Sequence, residues 1–208
     1  MNKLFAYDQQ YLKKYSRLCG IDEVGRGCLA GPLVVCGIVM KYDQEIPGVR
    51  DSKKLTPAQR LTLDQAITKQ CQGYVLIIVD VATIDQKNIF QATKAAMQSI
   101  AQSMSADTLI LSDALNLDRA NNLSLIKGDD TSYAIACASI KAKVYRDQLM
   151  GALAELYPQY DFKNNKGYGT KKHRAALFKY GYVKGLHRES FAPVKTMLSE
   201  QLSFVLDD

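Results

Sequence analysis

The sequence predicts an α/β domain in which a mixed β-sheet is flanked by helices. Short apolar runs alternate with longer stretches of helical spacing, and the first two runs follow one another without a helix between them. Of the 208 residues, 47% are hydrophobic and 23% are charged, which is ordinary for a globular domain. A chain of this length can build one substantial core, so we expect a single domain over residues 1–208.

Five runs are predicted to be strands because they are short and mostly rich in β-branched residues. They are residues 18–24, 33–40, 74–79, 109–111 and, with a weaker pattern, 123–126. Helices are predicted over residues 58–70, 88–104, 131–156 (bent near Gly151), 170–180 and 194–204. Thr56 and Pro57 suit the N-cap and first position of the first helix. Residues 157–208 contain no convincing strand, so we expect a helical cap on the same domain.

The net charge of +6 favours a polyanionic partner, because Lys and Arg that neutralise phosphates release condensed counterions. The alternative is an ordinary basic protein. Five scattered cysteines form no CxxC pair, so neither a disulfide framework nor a zinc site is predicted. No apolar segment resembles a secretion signal or is long enough to cross a bilayer. We therefore expect a cytoplasmic monomer without a membrane partner.

Asp22 and Glu23 stand inside an apolar run. A carboxylate in a buried strand is costly unless it is paired or binds a cation, and hard oxygen ligands suit Mg²⁺ or Mn²⁺. Alternatively, the pair ends the strand and faces water, with Arg26 as a partner. Consecutive side chains of a strand point to opposite faces, so both can reach one cation only if the strand ends or bulges here.

Gly25, Arg26 and Gly27 follow the acidic pair directly. The glycines allow a ligand to approach the backbone closely, and the arginine adds a partner for phosphate or carboxylate. A tight turn between two strands is the alternative. Two further acids are candidates. Asp113 follows the predicted strand 109–111 at its carboxyl end, where α/β sheets gather ligands, and Asp129 precedes a helix, where capping is the alternative.

A second group of residues indicates contact with a nucleic acid. Residues 51–54 (DSKK) precede a helix, and residues 166–170 (KGYGT) place Tyr168 among glycines beside a cation, which suits stacking on a sugar or base. Each has an alternative as solvated surface. Three polar residues share one face of a predicted helix because they fall at i, i+4 and i+7: Ser139, Lys143 and Arg146.

Six segments, in the same order and over nearly the whole chain, make the sequence similar to the bacterial type 2 ribonucleases H (ribonuclease HII). They are GIDEVGRG at 20–27, LAGPLVV at 29–35, DSKKLT at 51–56, KGDDTSYAIACASIKAKVYRD at 127–147, YPQYDFKNNKGYGTKKH at 157–173 and HRESFAPVK at 187–195.

The resemblance implies a ribonuclease H-like fold with a C-terminal helical region. It also implies an endoribonuclease that cleaves RNA hybridised to DNA and cuts at ribonucleotides embedded in duplex DNA, with roles in ribonucleotide excision, replication and repair. Two divalent ions, Mg²⁺ or Mn²⁺, would assist hydrolysis and leave a 5′-phosphate and a 3′-hydroxyl. The metal-binding and catalytic residues would be Asp22, Glu23, Asp113 and Asp129.

The same resemblance implies the substrate contacts. Gly25, Arg26 and Gly27 match the loop that senses the ribose 2′-hydroxyl, and Tyr168 matches the tyrosine that packs on the sugar at the RNA–DNA junction. Ser52, Lys53 and Lys143 are similar to positions that contact phosphates, and Ser139, on the same helix face as Lys143, completes the predicted substrate contacts.

One departure from the family pattern concerns the third acid. The family usually has a glycine after it, whereas Asp113 is followed by Ala114, so Asp118 competes for this role. Two other functions stay open from the residues alone. One is another metal-dependent activity on this fold, such as a resolvase or transposase, against which GRG and KGYGT argue. The other is a hybrid-binding protein without catalysis.

Overall fold

The computed structural model describes residues 2–199 and contains a mixed five-stranded sheet flanked by helices. The strand order is β3-β2-β1-β4-β5, with β1 antiparallel to β2 and parallel to β4, which is parallel to β5. The strands are β1 (Arg17–Val24), β2 (Leu33–Met40), β3 (Cys71–Val79), β4 (Thr108–Asp113) and β5 (Asn122–Leu125). The predicted fold class and all five predicted strands are confirmed.

Helices accompany these strands in the part of the chain that the structure describes. They are α1 (Lys3–Gln9), α2 (Pro57–Gln70), α3 (Val81–Lys87), α4 (Ile89–Ser103), α5 (Tyr133–Leu156), α6 (Phe162–Asn165) and α7 (Lys171–Tyr180). Thr56 caps α2 in a capping box, as predicted. Residues 194–199 are also helical, and the rest of the helix predicted there lies outside the described residues. The sequence pattern missed α1, α3 and α6.

The chain divides into two compact units. The first comprises Met1–Val24, Val34–Ile78 and Thr93–Tyr145, and the second comprises Gly25–Leu33, Val79–Ala92 and Arg146–Asp208. The second unit therefore includes the predicted helical cap together with two earlier segments. A single domain stays a prediction.

The start of α5 lies directly against β1. A Cβ added at Gly20 would come within 2.2 Å of the Ala134 carbonyl carbon, so only glycine permits this approach. The neighbouring core cluster consists of Leu18, Leu109, Leu111 and Ile135. This packing fixes α5 close to the strand that carries the acidic pair.

All five cysteines are free thiols, and no helix within residues 2–199 has the length and apolarity to span a membrane.

Asp8 on α1 holds the first turn of α5. Its fully buried carboxylate accepts hydrogen bonds from the Tyr42 hydroxyl (2.6 Å) and the Ala134 amide (2.8 Å). Burial raises the pKa of Asp8 from its ordinary value to about 6, although these hydrogen bonds oppose the rise. The folded protein thus binds a proton here that the unfolded chain has already lost at pH 5.

This difference predicts the pH dependence of stability. The stabilisation from a protonated Asp8 is complete below about pH 4 and disappears as the pH rises through about 6. In Asp8→Asn the side chain stays neutral, so the stability of the wild type relative to this variant should fall by about 2 kcal/mol across that range. Urea unfolding at several pH values measures it, with exposed Asp43→Asn controlling for the loss of one charge. Parallel pH profiles for wild type and Asp8→Asn would contradict the assignment.

Candidate active site

Three acids converge at the carboxyl ends of two adjacent parallel strands. One carboxylate oxygen from each of Asp22, Glu23 and Asp113 lies within 4.8 Å of the others. The register explains the meeting, because the β1–β4 pairing ends at Ile21 opposite Ser112, and the next residues along the two strands are Asp22 and Asp113. The structure therefore brings together three of the four predicted acids.

The two consecutive acids reach one place without a bulge. The pairing of β1 with β2 continues in regular register to Val24, so the bulge that we considered is wrong. The pairing with β4 ends earlier, at Ile21, which leaves the last residues of β1 open on that side. The Asp22 carboxylate turns along the strand and accepts a hydrogen bond from the Glu23 amide (2.7 Å). Asp22 and Glu23 can therefore share one site because the last residues of β1 are hydrogen-bonded to a neighbouring strand on one side only.

The electrostatics of the cluster favour a bound cation. Burial, the charge of Glu23 and then that of Asp113 raise the pKa of Asp22 well above its ordinary value, and a hydrogen bond with Ser139 opposes the rise. Asp22 is only 4% exposed. Three carboxylates at this separation repel one another, and a hard divalent cation with oxygen ligands relieves that repulsion. The donor set present therefore fits Mg²⁺ or Mn²⁺.

Asp113, and not Asp118, joins the cluster. The Asp113 carboxylate accepts a hydrogen bond from the Gly128 amide at 2.7 Å. Asp118 is exposed, and its amide donates to the Gln98 side chain. Ala114, which stands where the family usually has glycine, adopts a left-handed backbone with φ of 53°. Glycine adopts this conformation without a Cβ penalty, which is a physical reason for the family's usual residue.

Asp129 lies in the short 3-10 helix Gly128–Asp130, outside the group of three. It is 5% exposed, and the Lys53 ammonium lies 3.0 Å from its carboxylate. Burial alone would lower the pKa of Lys53, but the hydrogen bond and charge of Asp129 outweigh it and raise that pKa. Asp129 does not cap α5, which was the alternative for this residue. The Ser132 hydroxyl instead accepts a hydrogen bond from the Ile135 amide at the start of that helix.

The two predicted serine contacts form a buried pair. The Ser52 and Ser139 hydroxyl oxygens are 2.9 Å apart, and Ser139 also hydrogen-bonds Asp22. In this structure Ser139 therefore holds Asp22 from within the protein, and Ser52 holds Ser139. Lys143 follows Ser139 by one turn of α5 and is half-buried. Whether these residues contact substrate stays a prediction.

The second unit contains the glycine-arginine-glycine loop and the tyrosine loop. Gly25 has φ of 98°, and a Cβ there would lie 2.3 Å from the Arg146 Nε, whereas Gly27 is exposed with open space around it. Cys28 forms an antiparallel bridge with Tyr168, whose side chain is 41% exposed. The predicted loops thus pair with each other through the backbone.

Sequence reasoning missed a histidine pair behind Tyr168. His173 and His187 are both fully buried, and their Nε2 atoms are 3.1 Å apart. The Val183 amide donates to His187 Nδ1, so His187 Nε2 carries the proton and donates to His173 Nε2. His173 Nδ1 then donates to the Tyr168 carbonyl at 3.0 Å. Burial lowers the pKa of both, that of His187 to about 4, and no sequence signal marked the pairing.

A mixed sheet with acids at the carboxyl ends of neighbouring parallel strands defines a ribonuclease H-like α/β protein. The crystal structure of ribonuclease H2 from Pyrococcus horikoshii OT3 superposes with a TM-score of 0.75 at 23% identity, covering 88% of this chain and 98% of that one. Bst-RNase HIII in complex with Mn²⁺ gives 0.68 at 18% identity, covering 96% and 74%. At these identities the likeness concerns the fold.

The family follows from the sequence comparison. The profile of the family Ribonuclease HII matches residues 19–194. Ribonuclease HII of Enterococcus faecalis is 48% identical over 190 residues, which cover 90% of this chain and 74% of the relative. The chain therefore belongs to the ribonuclease HII family, and the predicted resemblance is confirmed.

We expect metal binding to stabilise the folded protein through the three-acid cluster. Saturating Mn²⁺ should raise the melting temperature of the wild type by roughly 5–10 °C, since a ligand at a hundredfold its dissociation constant contributes about 2.7 kcal/mol. Asp22→Asn and Asp113→Asn should lose most of this shift. Without metal, Asp22→Asn should be more stable than the wild type. Asp118→Asn is the matched control and should behave as wild type. Equal shifts in all four proteins would rule out the cluster as the metal site.

Ala114→Gly should raise the free energy of unfolding by roughly 0.5–1 kcal/mol, because it removes the Cβ from a left-handed position. Urea denaturation measures the change. Ala106→Gly is the control at an exposed alanine whose φ is not positive, and it should be neutral or destabilising. A loss of stability in Ala114→Gly would show that the alanine conformation is not strained.

Proposed function

We propose that this protein is an endoribonuclease that hydrolyses the RNA strand of RNA–DNA hybrids and cuts at ribonucleotides embedded in duplex DNA. The observation that carries the proposal is the convergence of Asp22, Glu23 and Asp113 on one place. Membership of the ribonuclease HII family supports the substrate class. The products would be a 5′-phosphate and a 3′-hydroxyl, and the protein would act as a monomer.

Divalent ions, Mg²⁺ or Mn²⁺ and two of them during catalysis, would be held by Asp22, Glu23, Asp113 and Asp129. When bound, they supply an activated water and neutralise charge on the phosphoryl and leaving oxygens. The Mn²⁺ complex of Bst-RNase HIII supports a divalent ion on this fold. The chain's own residues orient these ligands. Ser139 and the Glu23 amide hold Asp22, the Gly128 amide holds Asp113, and Lys53 neutralises Asp129.

Two loops would recognise the ribose and the sugar of the substrate. Gly25, Arg26 and Gly27 would sense the ribose 2′-hydroxyl, and the open space around Gly27 supports close approach of a ligand to the backbone. The half-exposed Tyr168 would pack on the sugar. The remaining contacts, to phosphates in particular, would be made by Ser52, Lys53, Ser139 and Lys143. Ser139 also holds Asp22, and Ser52 holds Ser139.

The decisive experiment is cleavage of a labelled DNA duplex that contains one ribonucleotide, with Mg²⁺ and with Mn²⁺. We expect a single cut at the ribonucleotide, abolished by EDTA and lowered at least a thousandfold in Asp22→Asn, since this carboxylate would hold the ions that act in the transition state. Substrate binding by Asp22→Asn should persist, and Asp118→Asn should cut normally.

Two results would refute the proposal. Cleavage that EDTA leaves unaffected would exclude the metal-dependent mechanism. Equal cutting of an all-DNA duplex would exclude ribose recognition by residues 25–27.

A further inference from the structure

Two arginines of the second unit are buried in an unusual way. Arg146 and Arg188 are each 0% exposed and are among the largest fully buried side chains. Buried arginines are normally paired with carboxylates. Neither guanidinium forms an ion pair with any residue between 2 and 199, and instead both donate to backbone carbonyls. The loop carbonyls therefore hold the two guanidiniums in place, and the guanidiniums in turn fix the conformation of those loops.

Arg188 holds the carbonyls of the glycine-arginine-glycine loop. Its Nη1 donates to the Arg26 carbonyl (2.8 Å), its Nη2 to the carbonyls of Gly25 (2.7 Å) and Gly31 (2.9 Å), and its Nε to the Gly31 carbonyl (3.2 Å). The Phe191 ring covers the guanidinium at 5.1 Å. One planar group thus sets the direction of three peptide carbonyls.

Arg146 connects this loop with the loop that carries Tyr168. Its Nε donates to the Pro32 carbonyl (2.9 Å), its Nη2 to the Ala30 carbonyl (3.1 Å) and its Nη1 to the Lys166 carbonyl (2.7 Å). The same side chain fills the space beside Gly25. The Gly167 carbonyl also accepts from the Leu29 amide at 2.8 Å. The two loops are therefore connected both by the Arg146 guanidinium and by backbone hydrogen bonds.

We propose that Arg146 and Arg188 are positioning residues that set the selectivity for a ribose 2′-hydroxyl by holding the backbone of residues 25–27 and 166–168. The inference rests on the proposed function of these loops. A guanidinium presents five donors in a planar fork, whereas a lysine presents three from one point and cannot span these carbonyls. The charge alone is therefore insufficient, and the arginine geometry is what the loops require.

The test compares two duplexes that differ at one nucleotide, a ribonucleotide in one and a 2′-fluoro-deoxyribonucleotide in the other. The wild type should strongly prefer the 2′-hydroxyl. In Arg188→Lys and in Arg146→Lys the ratio of kcat/KM for the two duplexes should fall roughly 10- to 100-fold, because displacements of about 1 Å cost that much. The Mn²⁺ stabilisation described above should persist, because the three acids belong to the first unit.

Arg119→Lys is the matched control. Its guanidinium also donates to three backbone carbonyls, those of Ala101, Met104 and Ser105, in the first unit. Arg119 is only partly buried, so this variant should lose less stability than the other two, and the ratio should not change. If Arg188→Lys does not fold, Asp85→Asn replaces it, since Asp85 accepts from the Glu189 and Ser190 amides directly after Arg188. It should lower the same ratio several-fold.

The outcomes separate the two proposals. A wild-type enzyme that cuts both duplexes equally overturns the proposed function and this inference with it. A wild-type preference that all variants retain, with both rates lowered in proportion to the folded fraction, overturns the inference alone and makes the arginines purely structural. A ratio that falls in the Arg146 and Arg188 variants but not in Arg119→Lys establishes positioning.

Discussion

The repulsion among three carboxylates at the ends of β1 and β4 is the constraint on which the rest of this structure depends. Strand register forces Asp22 and Asp113 to be neighbours, and the one-sided end of β1 adds Glu23. Such an arrangement is stable only because surrounding groups favour it. A serine and two backbone amides hold the carboxylates, and the close contact at Gly20 keeps α5 against the strand. The fold thus maintains a concentration of negative charge that a divalent cation would relieve.

Much of this could be predicted from the sequence, because the relevant signals are local. Apolar runs gave the strands, and the capping box gave the start of α2. The energetic cost of acids in an apolar strand made Asp22 and Glu23 candidates, and the motifs around them and the family resemblance favoured a metal site over a strand end facing water. The prediction of Asp113 was weaker, since Ala114 follows it where the family usually has a glycine. The structure shows that Ala114 takes the backbone conformation for which glycine is suited.

The features that the sequence analysis missed depend on contacts between residues that are far apart in the sequence. The sequence placed Arg146 on a polar helix face, yet it is buried against carbonyls from segments more than a hundred residues earlier. The histidine pair joins two elements whose packing no periodicity encodes. Of the two alternatives for the acidic pair, a strand end or a bulge, the bulge was wrong. Hydrogen bonding of β1 to β2 and to β4 ends at different residues, and the sequence of one strand does not show where the pairing with each neighbour ends.

The contact between Asp8 and Ala134 spans 126 positions of the chain. During translation Asp8 is synthesised long before Ala134. The hydrogen bond between them can therefore form only after the five strands have been synthesised. The start of α5, which leads to Ser139 beneath the acids, can be fixed only after most of the first unit has been synthesised. Ser139, which hydrogen-bonds Asp22, is therefore added to the acidic cluster only after Asp22, Glu23 and Asp113 have all been synthesised.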